Sequence, residues 1–246
     1  MTIPHVRRAI GLSVVAGLAA CGDSSRPPRS AGTPQASAPA PLTLPATFTG
    51  DLPCGGCEAT ATTLTLFDDG TFRLRSVPRG ANAGAASAAL GTWRALDGGR
   101  RYVLDGAGQG ARQFGRIGAD SLRLLDNTGA EMVAPLPYRL GRAASVDTIR
   151  DRMRFEGAVL ESADAVRLID CASGRGYPVL REGAFDALGR GVRQAQAGRA
   201  QPTSALVLGR LRARPPELPG KGEVLAVDSV ERVWVGGACG AGRPRG

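Results

Sequence analysis

Between Thr47 and about Leu140 the chain alternates apolar and polar residues with a period of two, as in Leu64-Thr-Leu66 and Phe72-Arg-Leu74 on either side of Asp68-Asp69-Gly70. That alternation fits a strand with one buried face, and Asp-Asp-Gly is turn chemistry, so the segment predicts a hairpin. Similar short runs recur at Gly91-Thr-Trp93, Arg101-Tyr-Val-Leu104, Phe114-Gly-Arg-Ile117 and Ser121-Leu-Arg-Leu-Leu125, separated by Gly, Asp and Asn. Strands at this spacing form an up-and-down meander that curls into a barrel or half-barrel. Trp93 and Phe72 are expected in its core. Ser76 to Ala89, with Pro78, Gly80, Gly84 and many alanines, reads as a long mobile loop.

The second half changes pattern. Ala143 to about Arg152 is polar and reads as a bridge, with a helical turn as one form it can take. Arg154–Leu160, Ala165–Cys171 and Tyr177–Leu180 read as three strands. From Glu182 to about Gly198 the period becomes helical, with Ala184, Phe185, Leu188, Val192 and Ala195 on one face and Gly189 and Gly191 weakening it by roughly 1 kcal/mol each. Two further strands follow near Ser204–Arg212 and Glu223–Val235. Three strands, a helix and two strands is the order of the OB-fold barrel.

Ahead of both halves, Arg7 and Arg8 precede an apolar run, Ile10 to Ala20, that is shorter than the roughly 20 residues a spanning helix needs. It reads as an export signal over residues 1–20. Leu18-Ala19-Ala20-Cys21 fits the bacterial lipobox, which places a lipid on Cys21, and Gly22 after it points to the outer membrane. Residues 21–46, rich in Ser, Pro and Ala, read as a flexible tether with a reach of roughly 25–30 Å. The folded parts are expected at 47–141 and 150–241.

Chemistry concentrates in the cysteines. An exported chain meets oxidising conditions, and Cys54, Cys57, Cys171 and Cys239 can pair in three ways, of which spacing favours Cys54 with Cys57 and Cys171 with Cys239. Two thiolates in Cys54-Gly-Gly-Cys57 can equally converge on one soft metal ion, Cu(I) above all. Met132 and Met153 are further soft ligands by chemistry alone, and core packing is the commoner role for methionine. A thioredoxin-like reading requires the CxxC to open a helix, whereas strand sequence follows here.

The only histidine, His5, lies in the leader. Ser-His-Asp hydrolysis and His-ligated zinc therefore find no residues in the rest of the chain, and no nucleophile elbow or phosphate-binding loop is present. No catalytic residue is assigned. Asp68-Asp69 reads as a solvated turn. The net charge of +9 comes from arginines scattered without stacking aromatics, with Lys221 the only lysine, which argues against nucleic acid as partner.

These residues resemble the NlpE-like outer-membrane lipoproteins, also called copper homeostasis or copper resistance lipoproteins. The resemblance rests on Gly50-x-Leu52-Pro53-Cys54-x-x-Cys57, Thr63-Leu64-Thr65-Leu66, Asp69-Gly70-Thr71-Phe72, Gly91-x-Trp93 and Leu125-Asp126-x-x-Gly129 in the first half. In the second it rests on Ala163-Asp164-Ala165, Asp170-Cys171-x-x-Gly174, Pro178-Val179 and the late Cys239. It implies a mainly β chain, with an N-terminal lipocalin-like half-barrel followed by a C-terminal OB-fold with one helix. It also implies a non-enzymatic protein of copper homeostasis and Cpx-type envelope-stress signalling, lipid-anchored to a Gram-negative outer membrane and facing the periplasm. The implied partners are the membrane, through the lipid, and an inner-membrane sensor histidine kinase. Cys54 and Cys57 match the family's first pair, and Cys171 with Cys239 matches a disulfide proposed as its folding and redox sensor. The other readings are a disulfide-stabilised interaction protein with no metal role, or an apolar-ligand carrier whose cavity is lined by Leu64, Leu66, Phe72 and Leu74.

Overall fold

The computed structural model describes residues 40–80, 84–106, 111–133, 136–162, 165–198, 201–237 and Cys239. The export signal, Cys21 and most of the expected tether lie outside these residues. Eight antiparallel strands come first: β1 (Ala46–Leu52), β2 (Ala59–Leu66), β3 (Thr71–Arg79), β4 (Ser87–Leu96), β5 (Arg101–Gly106), β6 (Arg112–Ile117), β7 (Ser121–Leu125) and β8 (Arg139–Arg142). Each pairs with the next, and β1 pairs with β8 through Phe48 opposite Arg142 and Thr49 opposite Gly141. Of the expected barrel or half-barrel the meander forms the complete barrel, because β1 and β8 supply two strands that the short alternating runs did not mark.

Period-two alternation sets the register. Leu64 stands opposite Leu74, Leu66 opposite Phe72, Tyr102 opposite Phe114 and Leu122 opposite Leu140, so these side chains share the inside. Phe48, Leu64, Leu66, Phe114, Leu122 and Leu140 are buried and fill the centre, as expected of an eight-stranded barrel. Trp93 packs edge-on against Tyr102 and donates its Nε1–H to the Phe67 carbonyl at 2.9 Å. Asp69 accepts the Thr71 N–H and hydroxyl at 2.9 and 2.6 Å, which makes Asp68-Asp69-Gly70 the expected turn.

Three local expectations are corrected. Both ends of Ser76–Ala89 are strand: β3 runs to Arg79 and β4 starts at Ser87, with Arg75 opposite Ala88 and Leu74 opposite Ala89. Backbone pairing and the packing of Ala88 against a second core override the weak strand propensity of alanine. The end of the expected tether is docked, since Leu42 and Leu44 pack on the barrel core and Arg116 and Arg142 bond the carbonyls of Ala40 and Thr43.

The third correction concerns the bridge, which contains no helical turn. Thr47 and Thr65, opposite each other on the outer face of β1 and β2, place their hydroxyls 2.8 Å apart. Thr47 Oγ1 accepts the Asp147 N–H at 2.9 Å, and the Thr65 hydroxyl donates to the Asp147 carbonyl at 2.6 Å. Asp147 Oδ1 then accepts the Ile149 N–H at 2.8 Å. Ile149 is 0% exposed and adopts φ +44°, a conformation a β-branched residue takes only when its surroundings impose it.

The second half contains β9 (Met153–Glu161), β10 (Val166–Asp170), β11 (Gly176–Pro178), helix α1 (Phe185–Gln196), β12 (Thr203–Ala213) and β13 (Glu223–Val235). Strand order is β11-β10-β9-β12-β13, and a parallel bridge from Val179 to Leu225 joins the two ends. That is the OB-fold order closed by its parallel contact. Helix α1 buries Leu188 and Val192 on the predicted face. Gly191 is explained by proximity, because a Cβ there would lie 2.8 Å from Val233 Cγ2 on β13.

Candidate functional site

The CxxC is positioned by the end of a hairpin. β1 stops at Leu52, Pro53 has no N–H to extend the ladder, and β2 begins at Ala59. The intervening Gly55 and Gly56 are exposed, and Gly56 adopts φ +93°, which a side chain would resist. This turn brings the Cα atoms of Cys54 and Cys57 to 5.6 Å, and the two sulfurs are joined as a disulfide. Both cysteines are half-buried, and Cys57 Sγ lies 3.8 Å from the Thr60 hydroxyl. The flank is fixed by the Glu58 N–H bonding the Arg79 carbonyl at 3.0 Å and by an Asp51–Arg79 ion pair at 3.2 Å.

In an up-and-down barrel the β1–β2, β3–β4, β5–β6 and β7–β8 connections share one rim. The CxxC therefore sits on the rim opposite the chain's entry at Ala46 and its exit after Arg142. On the same rim the β7–β8 connection carries Met132, half-buried, and Val133 and Leu136, both exposed. Met153 is instead in the core of the second barrel and does not reach this rim.

The donor set decides what chemistry fits. Among the described residues no group of three or more His, Cys, Asp or Glu is arranged to hold a metal ion. Two thiols alone suit a two-coordinate Cu(I) ion and leave a four-coordinate zinc ion short of ligands. A disulfide must first be reduced, since the thiolate is the ligand.

The second cysteine pair lies in the OB-fold barrel, where Cys171 and Cys239 are joined with their Cα atoms 5.1 Å apart. Cys171 follows Asp170, whose buried carboxylate accepts the Ser173 N–H at 2.8 Å and the Ser173 hydroxyl at 2.7 Å through the same oxygen, Oδ2. Burial pushes the Asp170 carboxyl above its ordinary range despite these bonds. Tyr177, likewise pushed up by burial, packs edge-on against Phe155. An open cleft of about 310 Å³ lies between the β9–β10 hairpin and α1, with Val166 and Phe185 beside Arg181 and Arg193.

Comparison with known proteins places the first barrel. Residues 48–134 match the family model for the NlpE N-terminal domain. The first barrel is thus similar to the NlpE N-terminal domain. Over 138 residues the chain is 33% identical to lipoprotein NlpE of Escherichia coli (strain K12), a match covering 55% of this chain and 56% of that protein. The chain thus spans little more than half the length of this curated relative. The crystal structure of the Cpx pathway activator NlpE from Escherichia coli aligns at a TM-score of 0.33 with 26% identity, over 79% of this chain and 96% of that one. A putative lipoprotein from Shewanella oneidensis aligns at 0.37 and 26% identity, over 42% and 93%.

Alternation found the first barrel, and the two cysteine pairs that spacing favoured are the ones joined. Sequence reasoning missed the side chains that join the two barrels: Arg73, Arg75, Asp147 and Glu223. In an alternating strand an arginine between Phe72 and Leu74 reads as solvent-facing, and no local signal marks the partner it meets.

Proposed function

We propose that this chain is a non-enzymatic envelope lipoprotein, held on the outer membrane by lipid on Cys21, that reports envelope stress through a Cpx-type sensor kinase. The observation that carries this reading is the NlpE-type barrel with its CxxC on the rim away from the chain's entry. Escherichia coli NlpE, 33% identical over 138 residues, is named a lipoprotein and described as the Cpx pathway activator. The test is a Cpx-type transcriptional reporter in a host lacking its own NlpE. Production of the lipidated, folded chain should raise reporter output, and an unchanged output refutes the reading.

Copper enters through the same rim. In the reduced state Cys54 and Cys57 offer two thiolates on a short turn, a donor set that suits one Cu(I) ion as the signal or as cargo. In the disulfide state the pair is structural and stress is reported by contact alone. A competitive Cu(I) titration separates these states. One tight equivalent in the reduced chain, lost on oxidation and in Cys54→Ser/Cys57→Ser, supports the metal role, and equal uptake by the variant removes it.

A further inference from the structure

The outer face of β3 and β4 carries two cross-strand pairs, Arg73 opposite Leu90 and Arg75 opposite Ala88. Neither pair faces solvent as a surface strand would. Leu90, only 1% exposed, belongs to the core of the OB-fold barrel with Met153, Phe155 and Leu225, and Ala88 packs against that core. An apolar patch on one barrel is thus covered by the other.

Arginine side chains fasten the cover. Arg73, 6% exposed, donates to the Thr148 carbonyl at 2.6 Å and to Glu223 Oε1 on β13 at 3.1 Å, and its second nitrogen pairs with Glu223 Oε2. Its guanidinium also lies 5.0 Å from the centre of the Phe67 ring. Arg75 holds the bridge through Asp147 and, at 3.1 Å, Asp151, and Arg175 reaches back from the second barrel to Asp69. A bidentate guanidinium–carboxylate pair is geometrically exacting, so a small displacement of β13 breaks it and leaves the buried Arg73 charge with backbone carbonyls alone as hydrogen-bond acceptors.

We propose that the OB-fold barrel is a cover latched by Arg73 over an apolar patch at Leu90 and Ala88, and that loosening the OB-fold barrel uncovers this patch while the NlpE-type barrel stays folded. The first barrel has its own closed ladder and an interior filled by its own side chains, separate from the Leu90 cluster. The covering barrel is itself stapled by Cys171–Cys239, which ties Cys239, beyond β13, to the end of β10.

The inference stands or falls in the purified chain, independently of whether the chain signals stress. The experiment uses the full chain with Cys21→Ser and a reporter thiol, Ala88→Cys, alkylated by iodoacetamide and quantified by peptide mass spectrometry. Trp93 fluorescence monitors the first barrel in a Trp234→Phe background. Arg73→Met and, separately, Cys171→Ser/Cys239→Ser should each speed alkylation at position 88 by at least about tenfold with the Trp93 signal unchanged. The exposed control Arg94→Met should leave it at the parent rate. An unchanged rate in Arg73→Met overturns the latch. A faster rate accompanied by loss of the Trp93 signal overturns the cover, because the two barrels then open as one.

Discussion

The ring of Phe72 on β3 rests against the backbone of Gly91 on β4, with room only because Gly91 has no side chain. A Cβ at Gly91 would run into the Asp105 carbonyl oxygen on β5 and come within 2.7 Å of Phe72 Cε1, and one at Gly106, its partner across β4 and β5, within 2.7 Å of the Leu90 carbonyl oxygen and 3.0 Å of Phe72 Cζ. Gly91→Ala should therefore cost about 1–3 kcal/mol by overpacking. In Phe72→Leu the same alanine should still carry most of its cost, because only the ring contact is gone and the clash of that Cβ with the Asp105 carbonyl remains. Urea unfolding of the two single variants and the double variant checks this coupling.

The two disulfides should differ in what they contribute to stability. Their cysteines are 3 and 68 residues apart. In the chain-entropy account the short loop contributes about 2 kcal/mol and the long one about 4 kcal/mol. Cys171→Ser/Cys239→Ser should thus lower the unfolding midpoint about twice as far as Cys54→Ser/Cys57→Ser. Equal shifts would show that the long loop is already constrained in the unfolded chain.

Asp170 gives a pH dependence of defined sign. Burial holds its carboxyl above the ordinary value of 3.8, so the folded state keeps the proton longer than the unfolded chain does. Its contribution is most favourable below 3.8 and is lost as pH rises through the folded value. Asn at this position can keep both Ser173 bonds, which fall on one oxygen, and carries no charge to bury, although its amide nitrogen cannot accept from the Glu156 and Ala172 N–H groups that also act on the carboxylate. Asp170→Asn should therefore gain stability relative to the parent as pH rises from about 4 toward neutrality. Asp170→Ala, which leaves the Ser173 donors without an acceptor, should cost about 1–3 kcal/mol. Urea midpoints across pH distinguish these outcomes.

Asp147 should behave in the opposite sense. Burial by itself would raise its carboxyl, but the Ile149 N–H and the Arg75 guanidinium outweigh burial and hold it below 3.8. Its contribution is present above that value and is lost as pH falls through the folded value. Because both side chains are part-exposed, Asp147→Asn should cost less than about 1 kcal/mol at neutral pH. The difference from the parent should vanish in acid, as followed by hydrogen exchange at the Ile149 amide.

Local chemistry made several of these features legible before any fold was known. Alternation at Leu64, Leu66, Phe72 and Leu74 gave a buried strand face, Asp69-Gly70 gave its turn, and the spacing of Leu188 and Val192 gave the helix. Each depends on neighbours a few residues away, where strand and helix periods act directly. The closure of β1 on β8 was not legible, because a four-residue strand such as Arg139–Arg142 acquires its partner only when the sheet has already curled.

The junction between the barrels was hidden for the same reason in stronger form. Nothing near Arg73 in the chain distinguishes it from a solvated arginine, and its carboxylate partner is 150 residues away. The sequence by itself determined which faces are apolar, where the turns fall and that Cys54 and Cys57 lie within reach of each other. Tertiary structure alone decided that an arginine on an outer strand face is buried, that Ile149 accepts a left-handed backbone and that Leu90 serves a second core. Those outcomes depend on desolvation and packing between segments far apart in sequence, and such terms exist only once both surfaces have met.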